Sequence, residues 1–130
     1  MKTAEIMKRA RRPVTLLTGN DNFIYESFLL GATGALIGFG TLAVAQQVEM
    51  HAAAMRGDSS RGLELWLRVK PLADAIFDQP VRDYRARTKA ALVELGAITS
   101  AHMRPPLFEI DEAEKEIIRE ALKQAYEKEK

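Results

Sequence analysis

Cysteine is absent from this chain, which excludes disulfides, thiolate metal sites and a cysteine nucleophile. Its absence suits a reducing compartment, and a cytoplasmic setting is the expectation. Histidine is scarce: His51 and His102 are the only two, and neither stands in a His-Glu-x-x-His or comparable spacing, so no metal site is expected. An excess of one charge is also lacking. The 19 Lys and Arg against 18 Asp and Glu leave +1, which gives no general case for a nucleic-acid partner. The local cluster Lys8, Arg9, Arg11 and Arg12 reads as the solvated end of a helix, where cations suit the macrodipole. There is no phosphate-cradling P-loop, no dinucleotide fingerprint and no Gly-x-Ser-x-Gly elbow, so no cofactor is expected. The first apolar run follows Pro13 and is too short for a signal peptide. No internal repeat or low-complexity segment occurs.

What is present is a globular composition. The 130 residues are 47% apolar and 28% charged, enough for one modest core. Residues 27–48 carry no charge and are long enough to cross a bilayer, and Gly34-x-x-x-Gly38 resembles a helix-packing face. A single-span membrane protein is therefore one alternative. Against it, Gly31, Gly34, Gly38 and Gly40 crowd the stretch and Gln46 and Gln47 close it. It divides instead into a helix end, a turn, a strand and another helix.

The apolar patterning predicts a helix over 3–11 stopped by Pro13, and a buried parallel-type strand over 14–18. Gly19 and Asn20 make a turn, and Asp21 caps a helix over 22–30. A second strand follows over 35–39, flanked by glycines. Helices are then expected over 41–55, ended by Gly57, and 58–77, capped by Asp58, with Leu63, Leu67, Val69 and Leu72 on its apolar side and a kink or boundary at Pro71. A further helix over 82–95 ends at Gly96. Asp111 caps the last helix, with Glu114 completing a capping box and Ile117, Ile118, Ala121, Leu122 and Ala125 as its apolar stripe. The final residues, 127–130, are expected to fray. Two parallel strands can neither bury both faces nor close a barrel by themselves.

In order and spacing these segments resemble the C-terminal half of the dihydrodipicolinate synthase/N-acetylneuraminate lyase family. Val14-Thr15-Leu16-Leu17-Thr18-Gly19-Asn20-Asp21 is similar to its seventh strand and Gly-x-Asp turn, and Leu30-Gly31-Ala32-Thr33-Gly34-Ala35-Leu36-Ile37 to the approach to its eighth. Met55-Arg56-Gly57-Asp58, Pro71-Leu72, Arg87-Thr88-Lys89-Ala90-Ala91-Leu92, Leu95-Gly96 and Arg104-Pro105-Pro106-Leu107 follow in family order.

The resemblance implies an α/β fold: the C-terminal part of a (β/α)8 TIM barrel, its last two strands with their helices, over 1–56, and a helical C-terminal extension over 57–130. It implies a class I aldolase-type lyase. A sixth-strand lysine forms a Schiff base with a 2-keto acid, pyruvate-type or sugar-derived, and the protonated imine is the electron sink. A fifth-strand tyrosine relays protons, and a threonine-bearing loop grips the carboxylate. The lysine is expected upstream of Met1, so this chain alone is expected to be inactive and to need either the missing N-terminal half or self-association. The substrate-binding positions carried over are Gly19, Asp21, Asn22, Leu36 and Gly38. Asn22 stands where sialic-acid-cleaving members have a glutamate, and Gly38 where they have a serine; both count against sialic acid.

Asp21 fits a substrate contact and a helix cap equally well, since the ends of barrel strands carry barrel chemistry. Lys89 reads as part of a solvated helix face, and Trp66 and Tyr84 as anchors of helix packing. A non-catalytic half-barrel interaction module remains a second alternative, because such a piece exposes strand edges and an apolar face.

Overall fold

The computed structural model describes residues 2–126, so the fraying expected at 127–130 lies outside them. The elements are α1 (Lys2–Arg9), β1 (Leu17–Thr18), α2 (Ile24–Leu29), β2 (Gly34–Ala35), a 3-10 turn (Gly38–Thr41), α3 (Val44–Arg56), α4 (Ser59–Ile76), a second 3-10 turn (Val81–Asp83), α5 (Tyr84–Glu94) and α6 (Glu112–Tyr126). β1 and β2 pair in parallel, with Leu17 opposite Gly34 and Thr18 opposite Ala35. Thr33 N–H donates to Leu16 O, and Leu36 N–H to Thr18 O, both at 2.9 Å. The rest is helical, with α4 packed between α3 and α6.

Both strands are shorter than the sequence predicts. Val14 is exposed, and apolar residues with no neighbouring strand to bond do not become one. The expected strand over 35–39 stops at Ala35. Phe39 leaves the sheet direction to become fully buried, and the chain turns about it in the 3-10 segment. The expected cap of α2 is also revised. The helix begins at Ile24 after Phe23, with no side-chain cap, because the Asp21 carboxylate is engaged elsewhere. α3 starts at Val44, not 41, since Ala43 sits in the left-handed region at φ 47°. That costs on the order of 1 kcal/mol for a non-glycine residue, and Ala43 N–H gains a 2.8 Å bond to Tyr126 Oη.

Gly57, at φ 77°, ends α3, and the Asp58 carboxylate accepts Arg61 N–H at 3.1 Å, as the sequence predicts. The buried face of α4 is the expected one only at Val69 and Leu72. Leu63 and Leu67 are exposed, while Leu65, Trp66, Val69, Leu72, Ala73 and Ile76 are buried. This row packs on both sides of Pro71, and its burial outweighs the roughly 3 kcal/mol that an interior proline costs, so α4 runs on without a break. On α6 the stripe holds at Ile118, Ala121, Leu122 and Ala125, but Ile117 is exposed.

Arg87 fastens the helices together. It is 3% exposed, and its guanidinium reaches three elements. Nε donates to Glu114 Oε1 at 2.9 Å and Nη1 to Asp78 O at 2.6 Å. Longer bonds run from Nη1 to Ile76 O at 3.4 Å and from Nη2 to Gln79 O at 3.4 Å. The orphan carbonyls that follow α4 are thus satisfied by a side chain of α5, and the charge by one of α6. Glu114 is therefore committed to Arg87, so the capping box reduces to its first half, Asp111 Oδ1 accepting Glu114 N–H at 2.9 Å.

Two stability changes follow. Arg87→Leu removes the donor that Arg87 gives the Ile76, Asp78 and Gln79 carbonyls, and chemical denaturation should register a loss of roughly 3 kcal/mol; Arg87→Lys, lacking the planar fork, should recover only part of it. A Cβ on Gly62 would lie 2.6 Å from Tyr25 Cε2, and that ring is buried with its hydroxyl bonded to Ser59 O. Gly62→Ala should therefore destabilise by about 1–2 kcal/mol, the overpacking outweighing the gain of about 1 kcal/mol in helix propensity.

Candidate active site at the strand ends

In a parallel barrel, side chains at the C-terminal ends of the strands converge on the reacting centre. β1 leads there into Gly19–Asn22 and β2 into Leu36–Thr41. One bond joins the two turns: Phe39 N–H donates to Asp21 Oδ1 at 2.7 Å. The first turn is fixed below by Thr18, whose hydroxyl donates to Ser27 Oγ at 2.9 Å and accepts Asn20 N–H at 3.2 Å. The second is fixed by Gln47 of α3, whose Nε2 donates to Phe39 O at 3.0 Å and Leu42 O at 2.6 Å.

Four of the five predicted positions meet here. A Cβ on Gly38 would lie 3.5 Å from Asp21 Oδ1, and one on Gly19 3.8 Å from Leu36 O. Leu36 joins by its backbone; its side chain is 80% exposed and points clear of any described core. Asn22 is exposed in the same turn as Asp21. Asp21 itself is half-buried, with one carboxylate oxygen occupied by the Phe39 amide.

The sequence reading missed two further members. The same Gly38 Cβ position is 3.1 Å from Tyr84 Cε2 and 3.6 Å from Phe77 Cζ. Tyr84, read as a packing anchor alone, thus also faces the strand ends. The one signal available was the glycine itself, a position where a side chain would have no room. Trp66 is the anchor expected, buried with its Nε1 donating to Glu26 Oε1 at 2.9 Å.

Other candidate groups lie apart from this cluster. His51 Nε2 is 2.9 Å from Thr33 O and its ring meets Phe28 edge-on at 5.0 Å. Lys89 Nζ donates to His102 O at 2.5 Å. Among the described residues no group of three or more His, Asp or Glu could hold a metal ion, and no helix is long and apolar enough to cross a membrane. Lys2 and Lys8 lie on α1, Lys70 on α4, Lys89 on α5, and Lys115 and Lys123 on α6, so none stands on β1 or β2.

Each edge of the strand pair adjoins an open cleft. Beside β2 it measures about 320 Å³ and is lined by Ile24, Phe28, Ala35, Ile37, Val48 and His51, among others. Beside β1 it measures about 510 Å³, with Leu17, Gly19, Phe23, Ser27 and Leu30 among its lining.

A profile of the dihydrodipicolinate synthetase family matches residues 1–125. The chain is similar to 4-hydroxy-tetrahydrodipicolinate synthase 2 of Clostridium acetobutylicum, 30% identical over 115 residues, which covers 88% of this chain and 39% of that protein. Among solved structures it is similar to dihydrodipicolinate synthase of Thermotoga maritima, with TM-score 0.82 and 27% identity over 95% of this chain and 41% of the other. It is also similar to the chloride-inhibited dihydrodipicolinate synthase of Acinetobacter baumannii complexed with pyruvate, with TM-score 0.81 and 26% identity over 95% of this chain and 41% of the other. These neighbours are TIM barrels, and the chain spans about 40% of their length. With its parallel strand pair, its strand-end turns and this match over nearly its whole length, the chain belongs to the dihydrodipicolinate synthetase family.

Proposed function

We propose that these 130 residues form the closing part of a Schiff-base lyase acting on 2-keto acids, pyruvate-type or sugar-derived. Residues 1–56 supply the last two barrel strands and 57–130 the helical extension. The observation that carries this reading is the Asp21–Phe39 bond, which holds two strand-end turns together in the place where such a barrel keeps its substrate. The pyruvate bound by the Acinetobacter baumannii relative supports the substrate class. Since no lysine stands on β1 or β2, the imine-forming lysine comes from another strand of the barrel, and residues 1–130 alone are inactive. Gly19, Asp21, Asn22, Leu36 and Gly38 contribute to the rim, facing the variable end of the substrate, while the keto-acid end is held by the remaining strands.

The clefts at both edges of the strand pair favour completion of the barrel over a free-standing interaction module. The one beside β2 is a mainly apolar seat for a neighbouring strand and its helix, and exposed edge strands with apolar flanks seek such pairing.

Borohydride trapping with pyruvate, read by mass spectrometry, tests the reading. The 130-residue chain alone should gain no mass, and the chain mixed with a polypeptide carrying the remaining strands should yield an adduct on the latter. An adduct on the 130-residue chain would contradict it. Asp21 separates its two roles by substitution. Asp21→Ala, which orphans a buried amide, should cost roughly 2 kcal/mol of stability. Asp21→Asn keeps an acceptor for that amide, so it should keep the stability and, in the completed enzyme, raise KM.

A further inference from the structure

Charge is divided unevenly along the chain. Residues 2–12 hold five Lys and Arg against one Glu, while residues 13–130 hold 14 against 17. No Lys or Arg follows Arg12 until Arg56. The macrodipole of α1 accounts for Lys8 and Arg9, which stand in its last turn. It does not account for Arg11 and Arg12, which are exposed in the bend between the end of α1 and Pro13. Arg9 takes the single carboxylate of the segment, Glu5, at 2.7 Å. Among the described residues, the side chains of Lys8, Arg11 and Arg12 meet no hydrogen-bonding or ion-pair partner. Apolar side chains border these cations. Ile6 is 51% exposed and shares a cleft with Glu5, Arg9 and Ala10, and Val14 is 37% exposed two residues past Arg12.

We propose that residues 6–14 are a docking surface for a lipid bilayer that carries anionic headgroups. The proposal stands apart from the lyase reading. Each Lys or Arg held near such a surface strengthens binding about fivefold. The uneven charge also orients the molecule, since the basic segment is drawn to the bilayer and the acidic remainder is repelled by it. Ile6 and Val14 reach below the headgroups while the neighbouring cations meet the phosphates. Residues 1–16 contain no aromatic, His, Asn or Gln side chain, the types that stack on bases or read their edges, so lipid suits this segment better than nucleic acid.

The test is co-sedimentation of the 130-residue chain with vesicles of phosphatidylcholine containing about one-third phosphatidylserine, set against vesicles of phosphatidylcholine alone. The chain should sediment with the first and stay in solution with the second. Raising salt from about 0.1 M to about 1 M, which shortens the Debye length from about 10 Å to about 3 Å, should release it. Lys8→Gln/Arg11→Gln/Arg12→Gln should bind about a hundredfold more weakly, with an unchanged circular dichroism spectrum. Arg82→Gln/Arg104→Gln/Lys123→Gln, which removes the same charge from other exposed positions, should bind as the wild type does. A chain that ignores the anionic vesicles overturns the proposal. Equal sedimentation with both kinds of vesicle does so too, because it marks apolar adsorption alone. Equal weakening by the two triple variants assigns the binding to net charge and overturns the assignment to this segment. A single-stranded oligonucleotide that strips the chain from the vesicles at matched phosphate concentration gives the cations to nucleic acid and overturns the lipid partner.

Discussion

Phe39 has no exposed surface and no strand to bond with, so its amide must find an acceptor inside the protein, and Asp21 provides one at 2.7 Å. Leaving such an amide unsatisfied would cost about 1–3 kcal/mol, and a charged acceptor makes the bond stronger than an ordinary one. The consequences spread outward from it. The turn after β2 cannot continue as a strand, because the residue that would extend the ladder is drawn toward the turn after β1. Phe39 O and Leu42 O are left facing α3, where Gln47 takes both. Ala43 is forced into a left-handed conformation that the Tyr126 hydroxyl helps to hold. One carboxylate thus sets the spacing of two strand-end turns and the angle at which the helices leave them.

Arg87 plays the matching part among the helices. A guanidinium is a good choice for a buried position that must satisfy several carbonyls and one carboxylate at once, because its donors are fixed in a plane. The carbonyls it binds belong to the stretch that carries Phe77, and its own helix begins with Tyr84. The surface of α6 shows the contrasting, weaker kind of electrostatics. There hydrogen bonds from Lys115 and Arg119 hold the exposed Glu112 carboxyl below its ordinary value. That group favours the folded state above the ordinary carboxylate range and loses its effect as pH falls through its lowered value, and salt screens it.

The sequence made the order of elements legible, since glycine stops at 57 and 96, aspartate caps at 58 and 111 and the apolar runs are local signals. The family was legible for a similar reason: its motifs fall in order along the chain. What stayed hidden depended on contacts between distant residues. Asp21 is spaced as a helix cap, and nothing local reveals that an amide 18 positions away takes it instead. Val69 and Leu72 are core as expected, but Leu63 and Leu67 look like core and are exposed, because the face packed against α3 and α6 runs through Leu65, Trp66 and Val69. Pro71 looks like a kink or a boundary, and it is no boundary, since α4 runs through it. Glu114 fits a capping box and serves Arg87. Gly19, Asp21 and Gly38 could be named from the turn pattern, whereas Phe77 and Tyr84 could not, because only the folded chain brings the end of α4 to the end of β2.

The measurement that tests this account most directly is amide hydrogen exchange at Phe39, followed by NMR on the 130-residue chain. The account expects slow exchange there, set apart from Gly38 in the same turn, and the loss of that protection in Asp21→Ala but not in Asp21→Asn. A Phe39 amide that exchanges as fast as its neighbours would mean that the two strand-end turns are not joined, and the site built on their spacing would not stand.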